Sequence, residues 1–195
     1  MLGVYDFNAH YDWTFRWLQD HHGMEGLKRY WEEAISIDSQ SHARSEFLRG
    51  FDGMLDYWGH TLAEEGAGYT SDVHENPDTG RRFMRIDMVD CPSLGFLLRN
   101  DIGVAEDYCN HCVGWIGPAL RDAGFEADHE HDHAGHCWWE IRETGDETPP
   151  STPGQVVPGD VRLLPLWVAG NRDVSHRSSD PVPAPPEANR PMSAG

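Results

Sequence analysis

Cationic residues are scarce in this chain. Its 195 residues hold 15 Lys+Arg against 33 Asp+Glu, a formal net charge of −18. Without a basic face, it is not expected to bind nucleic acid or an anionic membrane surface. Long apolar runs are absent as well, and nothing approaches the roughly 18 residues a membrane span needs. The first residues, Met1 to Asp6, contain neither the basic nor the apolar stretch of a signal peptide, so the expected location is cytoplasmic. Only 4 Cys are present. In that compartment they should be reduced thiols or metal ligands rather than disulfides. No phosphate-binding glycine loop, nucleophile-elbow serine or H-E-x-x-H motif occurs, which excludes the reactions those motifs signal.

Proline is also rare until the end. Residues 143–195 hold 10 of the 13 Pro and 5 of the 20 Gly, the composition of a linker or disordered tail. One apolar island, Val161 to Val168, interrupts it and is a candidate docking segment. The expected organisation is therefore one domain over residues 1–142 and a Pro/Gly-rich tail over 143–195. The domain part keeps 26 acidic and 11 basic residues, all four Cys and 11 of the 12 His.

Within the domain the first half reads as helical. Trp13, Phe15, Trp17 and Leu18 form one segment that Gly23 interrupts. Met24, Leu27, Tyr30, Trp31 and Ala34 follow at helical spacing, and then Leu48, Phe51, Leu55, Trp58 and Leu62. The pattern changes after Gly66. Alternation over residues 69–75 and 81–89, separated by Asn76-Pro77-Asp78-Thr79-Gly80, predicts a β-hairpin. Leu94 to Leu98 suggest a short helix. A second helix is expected from Asp107 to Ala123, with Pro118 implying a kink or a late start. Residues 125–132 and 135–143 predict another hairpin, turning at His133-Ala134-Gly135. The fold class is α+β: N-terminal helices, then an antiparallel sheet built from hairpins with an intervening helix.

The chemistry-bearing residues fall into clusters. Cys109 and Cys112 form a C-x-x-C pair around His111 at a helix start, where thiolates can hold a soft cation and thiol pKa values fall. In the second hairpin, His129 and His131 share one strand face, and Cys137 lies across the turn. Cys109, Cys112, Cys137, His129 and His131 together offer a ligand set of the type that suits Zn or Fe. Cys91, just past a strand end, is a secondary candidate. So are His60 and Glu64, on the Asp52/Asp56/His60/Glu64 helix face, where a solvated polar surface is the blander interpretation. Core packing alone would also account for the cysteines, and a solvated turn for the histidines.

Three stretches together resemble a known family: Asp90-Cys91-Pro92 after a strand, Asp107-Tyr108-Cys109-Asn110-His111-Cys112, and Gly135-His136-Cys137-Trp138-Trp139-Glu140-Ile141 closing on a strand. They are similar to the L-2-amino-thiazoline-4-carboxylic acid hydrolase family over residues 90–142. The His run from His129 to His136 and the Trp138-Trp139 pair lie outside that pattern. The resemblance implies a small hydrolase or tailoring enzyme of secondary metabolism, opening a thiazoline-type ring between nitrogen and sulfur. Catalysis would use Cys109, His111 and Cys112, either with a metal-activated water or with a cysteine nucleophile and His111 as its base. The partner would be a small-molecule substrate. The rival reading uses the same cluster as a non-catalytic ligand- or metal-binding domain, a sensor or a structural zinc site.

Overall fold

The structure is a computed structural model, and it describes residues 4–39, 41–100, 104–105, 108–131, 135–149 and 175–176. Helix α1 (Val4–Arg29) is broken at Gly23, whose φ of 68° lies in the left-handed region that glycine tolerates. The chain continues as a π-helix (Tyr30–Ser39), then α2 (Ser41–Phe47) and α3 (Phe51–Glu64). The first hairpin is β1 (Gly68–Glu75) and β2 (Arg82–Asp90). Helix α4 (Pro92–Arg99), the two-residue β3 (Val104–Ala105) and α5 (Asn110–Asp122) separate it from the second hairpin, β4 (Phe125–His131) and β5 (Cys137–Glu143). A two-residue β6 (Ser175–His176) pairs in parallel with β3.

The α+β expectation holds, and both hairpins form where alternation placed them. They join through an antiparallel β2–β5 pairing, giving a four-stranded sheet in the order β1-β2-β5-β4. The step from β2 to β5 is a close one, since the Cys91 amide donates to the Gly135 carbonyl at 3.0 Å.

Because strand side chains alternate, the sheet has two different faces. Met84, Ile86 and Met88 of β2, Trp139 and Ile141 of β5 and Phe125 of β4 pack against Phe51, Met54, Trp58 and Leu62 of α3 and Ile116, Ala119 and Leu120 of α5. A second core joins Phe15 and Leu27 of α1, Trp31 of the π-helix, Leu94, Leu97 and Leu98 of α4, and Tyr108. Helix α5 therefore serves both cores.

Several sequence expectations shift. The Leu48–Leu62 stripe is not one helix: α3 starts at Phe51, and Leu48, in the turn before it, is 66% exposed. Apolar spacing carries no sign of the π-helix, because its period differs from the 3.6 residues by which that spacing is read. Helix α5 starts late, at Asn110, and runs through Pro118. Most tryptophans are buried or half-buried, but Trp17 is exposed and stacks on His21.

Contacts among the described residues continue past residue 142. Thr144 N–H donates to the Gly124 carbonyl, and Asp146 pairs with Arg81 at 3.0 Å and takes the Thr148 amide. The turn at residues 133–134, the first residues of the expected helix at 107 and the 161–168 island lie outside the described residues. Among the described residues, no helix is long and apolar enough to cross a membrane.

Gly114 fixes how α5 meets the π-helix. A Cβ there would sit 2.7 Å from the Trp31 ring, and Trp31 is itself buried. Gly114→Ala should cost about 1–3 kcal/mol through overpacking, measured as a lower urea midpoint with an unchanged slope. An unchanged midpoint would mean that Trp31 can move aside freely.

Candidate active site

The two cores meet around a cavity of about 400 Å³, within the range of small-ligand sites. Its walls are largely aromatic: Tyr11, Tyr57, Trp58, Trp115 and Trp139. All four cysteines line it, as do His111, His129 and Glu65. Residues distant in sequence converge here because α3 ends, α4 begins, α5 begins and β5 begins at the same edge of the sheet.

His111 sits in the first turn of α5 and is 3% exposed. Its ring is enclosed by Trp115 at 4.3 Å, Tyr108 at 4.7 Å and Phe15 at 5.4 Å. Burial drives its pKa down to about 4, so the ring is neutral near pH 7. Nδ1 faces the Tyr108 carbonyl. A carbonyl only accepts, so Nδ1 carries the proton and Nε2 is left as an acceptor. The Cys112 sulfur lies 3.3 Å from that Nε2. The thiol therefore donates to the imidazole, and the imidazole is oriented by a backbone oxygen. This is the nucleophile–base–orienter order that activated thiols require.

The charge states are those of a neutral pair. Burial pushes the Cys112 thiol up, and nearby Cys91 and Glu65 push the same way. Cys91 is likewise raised by burial, but as the N-cap of α4 it faces the backbone N–H groups of Leu94, Ser93 and Gly95, which oppose that effect. Helix N-termini favour thiolates in this manner. Tyr108 is anchored by a 2.5 Å hydrogen bond between its hydroxyl and that of Ser93, which ties the start of α5 to the start of α4.

Glu65 is not among the residues that the sequence clusters single out. It caps the C-terminus of α3, and burial raises its pKa, with Glu64 adding repulsion. Its charge also helps to raise Tyr57, whose pKa burial pushes to about 12. The Asp52/Asp56/His60/Glu64 face lies one residue off. Asp52, Asp56, His60 and Glu64 are all exposed, His60 and Glu64 form a surface pair at 3.5 Å, and neither of these two lines the cavity. The signal that could have singled out Glu65 is its position just before Gly66, where the helix ends and the side chain turns toward the sheet.

His129 and His131 share a face of β4, with rings 5.5 Å apart. His129 packs on Trp139 at 4.6 Å and lines the cavity. Burial lowers its pKa to about 3, with His131 and His111 adding to the effect. His131 instead reaches Asn110 at 3.3 Å and lies off the cavity wall. Among the described residues, no three His, Cys, Asp or Glu side chains are gathered as a metal ion would require. Cys109, Cys112, Cys137 and His129 thus share a cavity without sharing a coordination point. Cys109 packs with the α1/α4 core, and Cys112 and Cys137 with the sheet core. As arranged, the described members of this donor set do not fit Zn or Fe.

Two neutral histidines, the buried His111 and the half-buried His129, set an acid limit on stability. Their folded pKa values, about 4 and about 3, lie below the unfolded value of about 6.5. Below about pH 6.5 the unfolded chain takes up protons that the folded chain refuses. Stability is then lost as pH falls, by about 1.4 kcal/mol per unit for each histidine, until the folded groups titrate. Urea midpoints taken between pH 6.5 and 4.5 should fall less steeply for His111→Gln and His129→Gln than for the wild type. Parallel slopes would mean that these imidazoles are protonated in the folded protein.

No protein-family model matches this chain, and no curated protein matches it.

Proposed function

We propose that the protein is a small-molecule hydrolase or tailoring enzyme in which Cys112 is the nucleophile and His111 its base. The observation that carries this is the Cys112 thiol donating to His111 Nε2 at the wall of an aromatic cavity. A sulfur- and nitrogen-containing ring of thiazoline type suits the resemblance of residues 90–142, and its size suits the cavity.

The thiol proton passes to His111 Nε2 as sulfur adds to the ring carbon between nitrogen and sulfur. The C–S bond of the ring then breaks, and the imidazolium returns its proton to the departing sulfur. Water adds to the same carbon with His111 again as base, and the bond to Cys112 breaks as its thiol is re-protonated. One water is consumed and one free thiol appears in the product. A pKa near 4 makes His111 a weak base but a strong acid once charged, so departure of the ring sulfur is the step it assists most. The N-terminus of α5 supplies a favourable potential for the developing negative charge.

The rival reading, a binding domain without chemistry, draws support from one fact: burial keeps Cys91 and Cys112 protonated, hence unreactive at rest.

Incubation with 2-amino-thiazoline-4-carboxylate should release one thiol per turnover, followed with a thiol reagent. Cys112→Ala should abolish it. His111→Asn should lower kcat by about 10²–10⁴-fold, while Cys109→Ala and Cys137→Ala keep most activity. Saturable binding with no thiol release would favour the binding domain, and turnover surviving in Cys112→Ala would remove Cys112 from the nucleophile role.

A further inference from the structure

The cavity wall holds one carboxyl and no permanent cation. Among the described residues that line it there is no Lys or Arg, and Glu65 is their one carboxylic acid. The histidines do not alter this balance. Burial keeps His111 and His129 neutral, His136 faces Asp87 at 3.9 Å, and His42 is exposed.

Helix α3 aims Glu65 into the cavity. Tyr57, Thr61 and Glu65 stand four residues apart, hence on one helix face, and all three line the wall. The Thr61 hydroxyl donates to the Tyr57 carbonyl at 3.0 Å, so its proton is not offered to Glu65. Among the described residues, no hydrogen bond or ion pair reaches the Glu65 carboxyl. The group is half-buried, and what acts on it is burial and the like charge of Glu64. Its own charge acts in turn on Tyr11, Tyr57, Cys91 and Cys112. The carboxyl thus lies among α1, α3 and the starts of α4 and α5, where the cavity is.

The rest of the wall is largely aromatic. Tyr57, Trp58 and Trp139 follow one another with ring centres 5.7 and 6.4 Å apart, and Tyr11 meets Trp115 at 5.7 Å. Ring faces attract a cation. A carboxylate withdrawn from water gains from a counter-charge and repels an anion. Its lone pairs also call for N–H donors, which a quaternary ammonium lacks. An amidinium or isothiouronium is planar and charged, and it presents two N–H groups in the geometry of a bidentate carboxylate pair.

We propose that the cavity takes a small planar cation of the amidinium or isothiouronium class, with Glu65 pairing to its N–H groups. This rests on the cavity being the ligand site, as the proposed function does, and narrows the substrate to a ring whose carbon between nitrogen and sulfur bears a further nitrogen and shares the positive charge. Such a carbon is the more electrophilic for that charge. The influence of Glu65 on Cys112 puts the paired cation and the thiol at the same part of the wall.

Calorimetric titration of the full-length protein near pH 7 tests it with two rings of similar shape. There 2-amino-2-thiazoline is protonated and 2-methyl-2-thiazoline is neutral, and neither carries a carboxylate. The amino ring should bind at least about tenfold more tightly, the worth of one charge-assisted hydrogen bond. Glu65→Gln should erase that preference and leave binding of the methyl ring unchanged, which also reports an intact cavity. Glu65→Asp should keep part of it. Cys112→Ala, in which the proposed chemistry is blocked, should keep it in full, so a missing preference and a missing thiol release are separate failures. Equal binding of the two rings by the wild type overturns the inference, and so does binding of neither. A preference that survives Glu65→Gln overturns the role given to Glu65.

Discussion

Helix α5 is wedged between two separately packed cores, and its first turn lies where they meet. Ile116, Ala119 and Leu120 belong to the sheet core, while Tyr108, just before the helix, belongs to the core of α1 and α4. Every feature of the candidate site follows from this seating. The Tyr108 carbonyl faces His111 because the chain turns there into the helix, and His111 is uncharged because aromatic rings of both cores surround it. A charged imidazole at this point would cost more than its single backbone acceptor returns. Cys112 in turn meets a neutral acceptor nitrogen instead of a cation.

The sequence displays local order well and convergence poorly. Both hairpins were legible because Met84, Ile86 and Met88 alternate with Arg85 and Asp87, and later Trp139 and Ile141 with Glu140 and Arg142. Gly23 was legible as a break because only glycine adopts its φ cheaply. The π-helix carries no such mark, and Leu48 shares the spacing of the α3 stripe while lying in the turn before the helix. These are cases where tertiary packing, not periodicity, decides.

The site divides in the same way. Cys109, His111 and Cys112 are adjacent in the chain and could be picked out directly, whereas the arrival of Cys91, Cys137, His129 and Glu65 at one cavity depends on the β2–β5 pairing, which no local pattern encodes. Donor type suggested a metal centre, but type does not fix distance. Cys109 and Cys112, three residues apart on one helix turn, pack into different cores. His131, two residues from His129 on the same face, reaches Asn110 instead. His60 and Glu64 show the converse: a regular i, i+4 pair on α3 is a surface contact, and the carboxyl that lines the cavity is the next residue, Glu65, at the helix end.

Burial around the cavity also has a chemical direction. It raises the thiols of Cys91 and Cys112 and the carboxyl of Glu65, and it lowers His111 and His129. Each shift favours the uncharged form. A pre-formed thiolate–imidazolium pair is therefore disfavoured twice over, once at sulfur and once at nitrogen. Charge separation in such a site has to accompany bond formation, with the proton moving to Nε2 as the sulfur bonds to carbon. An electrophile that can delocalise the arriving charge, such as a carbon held between nitrogen and sulfur, then meets the requirement better than an unactivated amide does. The same environment makes the thiols resistant to oxidation and alkylation, since both proceed through the thiolate.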